Sequence, residues 1–234
     1  MLILGIETST PQTTVALGNE HGIVGSALIS TSRANHEMVV PTVRQLLRWA
    51  ELDPAALTGV AVGLGPGLFT GMRVGVATAK SLAQVLGIPL VGMASLDLVA
   101  FSYRYGRRLI CSTVDARRKE IFHAFYRPVP GGVSRETPFQ AASADALAAE
   151  LEARAEDVLV VGNGALVYRR TLERAGNHVE IASAAHAFPA ATALVELAIP
   201  RFEREECDRV YDVQPLYVRK SDAEIAWDKR RGGA

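Results

Sequence analysis

Two polar stretches carry the side chains best suited to chemistry. Glu7-Thr8-Ser9-Thr10 sets a carboxylate beside three hydroxyls, and Asp115-Ala116-Arg117-Arg118-Lys119-Glu120 sets three cations between two acids. Hydroxyls and backbone amides can hold a phosphate, and arginine clamps one in a bidentate fork. Thr8, Ser9, Arg117 and Arg118 are therefore candidate phosphate or polyanion contacts. Neither stretch has the Asp-x-Gly of a magnesium-nucleotide turn, so any nucleotide site here is a degraded one. Arg117-Arg118-Lys119 reads equally as a solvated hairpin tip or as a contact for RNA or an acidic partner.

Other chemistries fail on spacing. Gly63, Gly65 and Gly67 precede a helix, yet Gly71 is followed by Met72-Arg73 where a P-loop needs Lys-Ser/Thr, and GxGxG is not a dinucleotide fingerprint. His21, His36, His123, His178 and His186 never pair three or four apart, so no metal site is expected. There is no GxSxG elbow, Cys111 falls inside an expected strand, and Glu205-Glu206 belongs to a charged helix face. Nothing in the sequence assembles into a self-sufficient active site.

The elements that must position these residues are organised around Val60 to Leu86. An apolar strand from Val60 to Leu64 turns at Gly65-Pro66-Gly67 and enters a helix from Phe69 to Leu86, with Thr70 as a candidate cap. Val74, Ala77, Thr78, Leu82 and Val85 recur at helical spacing and are expected to face the core. Gly71, Gly75 and Ala79 fall four apart on another side. Interior glycine costs about 1 kcal/mol against alanine, so this register suggests close approach of another helix. Before the strand, Leu2–Ile6, Val15–Gly18 and Ile23–Ile29 read as a meander. Asn35 caps a helix from His36 to Glu51 whose Val39, Val43, Leu46 and Ala50 face the core. Met38, Thr42, Gln45 and Trp49 form a flanking stripe that reads as a partner surface or, nearly as well, as a wide core face.

After Leu86 come a strand at Ile88–Met93 and a helix from Leu96 capped by Ser95. The second half repeats the plan with strands at Leu109–Val114, Glu120–Tyr126, Val133–Phe139, Val158–Val161 and Val179–Ile181. Its helices are expected at Ala144–Arg154, with Ser143 as cap, at Ala165–Ala175 and at Ala190–Glu206. A three-stranded meander followed by alternating helices and strands, used twice with a reduced second half, is a two-lobed α/β plan of the actin-like ATPase (ribonuclease H-like) type. The expected division is 1–105 and 106–234, with the 190–206 helix packing back on the first lobe. The basic Lys229-Arg230-Arg231 lies in the tail.

At 234 residues, 49% hydrophobic and 21% charged, the chain can bury a sizeable core. Lys+Arg and Asp+Glu are both 25, so there is no basic excess of the kind a lone nucleic-acid binder carries. Two distant cysteines fit a reduced compartment. MLILGIETST has no basic leader and no apolar run approaches 18 residues, so a cytoplasmic location without membrane contact is expected.

ILGIETST, GPGLFTGMRVGVATAKSLA, DARRKEIFHAFY and PLYVRKSDAE, which span most of the chain, closely resemble the TsaB (YeaZ) family. The resemblance implies a subunit of the machinery that makes threonylcarbamoyladenosine beside the tRNA anticodon. Leu68 stands where the family often has Ser, and Met72 where it often has Leu. The related catalytic family, TsaD, carries two metal-binding histidines four apart, and aligning IPLVG puts Ser95 and Val99 in their places. A non-catalytic paralogue is therefore implied, with TsaD and the ATPase TsaE as partners, a homodimer when alone, and tRNA reached only through the complex. The two helices would form its bundle, with Met38, Thr42, Gln45, Trp49, Phe69, Gly71, Met72, Gly75 and Ala79 at the interface. No metal is expected, and no cofactor beyond weak ATP or ADP binding. A small actin-like kinase and a chaperone-like adaptor are the competing readings.

Overall fold

Strand β1 (Ile3–Glu7) is the axis of the first of two sheets in the computed structural model, which describes residues 1–30 and 35–219. It pairs antiparallel with β2 (Gln12–Asn19), and β2 antiparallel with β3 (Gly22–Ser30). On its other side lies parallel β4 (Gly59–Gly63), followed by parallel β5 (Leu90–Met93). The order is β3-β2-β1-β4-β5. The second sheet repeats it: β6 (Leu109–Arg117) pairs antiparallel with β7 (Glu120–Val129), which pairs with β8 (Gly132–Arg135) and β9 (Gln140–Ser143). Parallel β10 (Val158–Val161) and β11 (Val179–Ile181) complete it. Two sheets, each a meander extended by parallel crossovers, make the actin-like, ribonuclease H-like architecture that the sequence pattern implies.

Alternating residues of the buried strands supply opposite faces, as the strand period requires. Leu4, Ile6, Val15, Leu17, Val60 and Val62 join a core with helices α1 (Val39–Trp49) and α2 (Phe69–Leu86). Ile3, Ala16, Ala61 and Val91 face the opposite way. Helix α3 (Ser95–Phe101) stands between the sheets, with Leu98 on the first and Leu96 and Val99 on the second. The second sheet is covered by α4 (Ala144–Glu152), α5 (Asn163–Val167) and α6 (Arg169–Leu172). The last helix, α7 (Ala191–Glu203), returns to the first sheet through Ala191, Leu194, Val195, Ala198 and Phe202.

Several local expectations change. Residues Asn35–Met38 form a 3-10 turn and α1 begins only at Val39, with Thr42 and Leu47 buried beside Val39, Val43 and Leu46. The α2 face is reversed: Gly71, Met72, Gly75, Val76, Ala79 and Ala83 are buried, while Ala77 and Val85 are exposed and Val74, Thr78 and Leu82 are half-buried. Helix α2 starts at Phe69, so Thr70 is not its cap. The Ala165–Ala175 helix is broken into α5, α6 and a 3-10 turn at Glu173–Ala175. Ser143 caps α4, accepting a bond from the Ala146 amide at 3.1 Å. The tail residues Lys229-Arg230-Arg231 lie outside the described residues.

Among the described residues no helix is long and apolar enough to cross a membrane. Because Leu194 is wholly buried between α7 and the first sheet, Leu194→Ala should cost about 2–5 kcal/mol through lost transfer energy and an unfilled cavity, measured by urea unfolding.

Candidate functional site

The turn after β1 is where the sequence places its first chemical group, and the structure seals it. Glu7 is completely buried. Its Oε1 accepts the Ser9 amide at 2.5 Å, and its Oε2 accepts the Ser95 hydroxyl at 2.7 Å. Ser95 Oγ in turn accepts the Gly65 amide at 3.1 Å, and the Ser95 amide donates to the Gly65 carbonyl at 2.7 Å. Ser95 is thus the first residue of α3 with its hydroxyl committed to a carboxylate, and Ala94 holds the cap position instead. Val99, one turn on, is buried between α3 and the second sheet.

Thr8 and Ser9 are closed off in the same way. The Thr8 hydroxyl donates to the Gly71 carbonyl at 2.7 Å, and the Ser9 carbonyl accepts the Leu68 amide at 2.6 Å. A Cβ on Gly67 would overlap the Ser9 carbonyl, one on Gly71 the Thr8 carbonyl, and one on Gly75 the Thr8 hydroxyl. The glycine register is therefore explained inside the subunit: α2 runs across the β1–β2 turn at backbone contact, and only glycine fits. This corrects the expectation that another helix fills that groove. The Thr8 hydroxyl is thereby spent on α2, and Ser9 is buried with its hydroxyl lacking a hydrogen-bond partner among the described residues.

Of the expected interface residues, Thr42, Gly71, Met72, Gly75 and Ala79 face their own subunit's interior. Met38, Trp49 and Phe69 are exposed, and Gln45 is half-buried. The outward surfaces of α1 and α2 also carry Val40 and Val85, which sequence periodicity had not assigned to a partner face. Trp49 is 71% exposed and Val85 83%. A tryptophan and a valine on neighbouring helices are thus both turned to solvent.

The second lobe uses a related device. The Thr113 hydroxyl donates to the Val161 carbonyl at 2.6 Å and accepts the Ala165 amide at 2.8 Å, while Gly162, at φ 104°, passes against the Thr113 carbonyl. Asp115 accepts the Arg117 amide at 3.0 Å and the Tyr168 hydroxyl at 3.4 Å. Burial and the neighbouring Asp115 push the Tyr168 phenol upward.

Beyond Asp115 the chain turns through Arg118 and Lys119, and Arg117, Arg118 and Lys119 all have positive φ, 62°, 53° and 65°. Each non-glycine residue there costs about 1–2 kcal/mol. All three side chains are exposed. Alongside, the segment from Leu216 to Arg219 crosses the gap between the lobes. The Leu216 amide donates to the Leu64 carbonyl at 2.7 Å, Tyr217 stacks near Phe69 with centroids 5.5 Å apart, and Arg219 pairs with Glu120. Arg73 lies 3.7 Å over the Phe69 ring and donates to the Tyr217 hydroxyl at 2.9 Å.

Among the described residues no group of three His, Cys, Asp or Glu side chains could hold a metal. The buried carboxylate is instead a titratable strut. Burial pushes Glu7 above its ordinary value of 4.5, against the opposing bonds from Ser9 and Ser95. The folded state therefore keeps this proton where the unfolded chain has lost it. Its contribution is present below about pH 4.5 and is lost as pH rises through the folded-state value. Urea unfolding of the protein and of Glu7→Gln across pH 4 to 8 should show the variant gaining relative stability as pH rises; parallel curves would contradict this.

A family model described as TsaD, tRNA N6-adenosine threonylcarbamoyltransferase, matches residues 20–227. The Bacillus subtilis (strain 168) tRNA threonylcarbamoyladenosine biosynthesis protein TsaB is 30% identical over 228 residues, covering 97% of this chain and 98% of that protein. Its Escherichia coli (strain K12) namesake is 26% identical over 99% of both. Among solved structures, YeaZ from Pseudomonas aeruginosa superposes with a TM-score of 0.79 at 26% identity, covering 92% of this chain and 99% of that one. A second Pseudomonas aeruginosa structure, described as an uncharacterized protein with similarity to peptidase YeaZ, gives 0.80 at 26% identity, over 93% and 99%.

Proposed function

The chain belongs to the TsaD-like family and, within it, to the TsaB (YeaZ) tRNA threonylcarbamoyladenosine biosynthesis proteins, and on that premise we propose that it is the non-catalytic scaffold of a threonylcarbamoyl-transferring complex. It binds the catalytic relative TsaD through the outward surfaces of α1 and α2, with the ATPase TsaE as third subunit, and pairs with a second copy when alone. The observation that carries this reading is the exposed apolar display on those helices, Val40, Trp49 and Val85. Large exposed apolar side chains mark interaction surfaces, and tryptophan is a favoured anchor.

The interior supports the same division of labour. In the resemblance to TsaD, Ser95 and Val99 replace the two metal-binding histidines; here one holds Glu7 and the other packs in the core. The glycines of α2 act from inside, by letting the helix lie flat enough on the sheet to present its other side. Transfer chemistry and ATP use are accordingly assigned to the partners, and tRNA is met within the complex.

Light scattering of the chain mixed with TsaD should give a stable heterodimer. Trp49→Arg and Val85→Arg should each weaken it about 30-fold or more, the equivalent of a hot-spot loss of about 2 kcal/mol, with melting temperature unchanged. Gly75→Leu is a poor probe, because its side chain collides with Thr8 inside the same subunit. No complex with TsaD, or one indifferent to both arginines, contradicts the proposal.

A further inference from the structure

A recess of about 460 Å³ opens where α3 and α7 meet the β7–β8 hairpin, a size typical of small-molecule sites. No residue of α1 or α2 lines it. Its chemistry is a charge pair that stops short of bonding. Asp97 Oδ1 accepts the Tyr126 hydroxyl at 2.7 Å, and Oδ2 accepts no hydrogen bond among the described residues. Arg135, stacked 4.0 Å over the Phe139 ring, comes no nearer to Asp97 than 3.8 Å, beyond hydrogen-bond reach. Its donors are left for another acceptor. Burial pushes the Asp97 carboxyl above its ordinary value of 3.8, against the Tyr126 bond and the Arg135 charge. A perturbed acid beside a cation in a cleft is the mark of a ligand site. Arg201, by contrast, is committed as a wall: it donates to the Gly92 carbonyl at 3.3 Å, the Glu206 carbonyl at 2.8 Å and Asp208 at 3.2 Å. Half-buried Met93, Val133 and Leu197 add aliphatic surface to the lining.

We propose that this recess binds a free α-amino acid with an aliphatic side chain, its ammonium on Asp97, its carboxylate on Arg135 and its side chain against Met93, Val133 and Leu197. The ammonium and carboxylate of such a ligand stand one carbon apart, which suits two opposite charges held 3.8 Å from each other. Each would make a charge-assisted hydrogen bond, the stronger kind. A simple amine would leave Arg135 unanswered, and a simple carboxylate would meet Asp97 as a like charge. The zwitterion answers both and adds no net charge to the cleft. Bound there, it would touch α3 and α7 on one side and β8 on the other, joining the two lobes. The site is separate from the outward surfaces of α1 and α2 and does not depend on the complex proposed above.

The test is isothermal titration calorimetry of the full chain with L-leucine, with isocaproate, which lacks the ammonium, and with isoamylamine, which lacks the carboxylate. Leucine should bind saturably, and each analogue about tenfold more weakly or worse, the loss of one charged contact. Asp97→Asn should bring leucine down to the affinity of isocaproate without weakening isocaproate. Arg135→Gln should bring leucine down to the affinity of isoamylamine without weakening isoamylamine. The analogue series uses the unaltered protein, so it decides the matter even where a variant fails to fold. Absence of saturable binding at millimolar leucine overturns the proposal. So does equal binding of leucine and its two analogues, or a leucine affinity unchanged in either folded variant.

Discussion

The structure depends on backbone contact between α2 and the turn that follows β1. Gly67, Gly71 and Gly75 leave room for the carbonyls and hydroxyl of Thr8 and Ser9, and two hydrogen bonds tie the surfaces: Thr8 to the Gly71 carbonyl, and the Leu68 amide to the Ser9 carbonyl. A methyl group at these positions would lift the helix off the sheet. With the helix seated, Glu7, Ser95 and Gly65 close into one buried network that links β1, the turn after β4 and the start of α3. Interior packing of this kind tolerates little change in volume.

Seating α2 in this way decides what it shows to water. With the small residues turned inward, Val85 and Ala77 face outward, and α1 beside it presents Val40 and Trp49. The same fit buries the polar turn after β1. One packing solution therefore both closes the turn and leaves apolar side chains of α1 and α2 exposed. The second lobe repeats the clasp with Thr113 and Gly162 and leaves its hairpin in solvent. Cations accumulate there instead.

Much of the architecture was legible because its signals are local. The period-two strands, the Gly-Pro-Gly turn and the repeated order of elements lead to two sheets of one topology, and Ser143 caps α4 as its position suggests. The inward side of α2 was not legible. Val74, Leu82 and Val85 make the stronger apolar stripe, and what reverses the helix is a turn some sixty residues earlier that tolerates only glycine against it. Thr42 was misplaced for the same reason: a residue between two core positions is claimed by the sheet beneath. Ser95 looks like a cap until Glu7 is found beside it. β9, the tetrapeptide Gln140–Ser143, has no alternation of its own and exists by pairing with β7. The left-handed run at Arg117–Lys119 carries no glycine or asparagine to announce it.

The central claim, that glycine packing inside the subunit turns the opposite sides of α1 and α2 toward a partner, is tested most directly by amide hydrogen–deuterium exchange with and without TsaD. The account predicts that slowed exchange on complex formation concentrates in peptides spanning Val39–Trp49 and Phe69–Leu86, while α7 and the buried β1 are unchanged. Protection centred on α7 or on the edge strand β3, with the two helices unaffected, would contradict it.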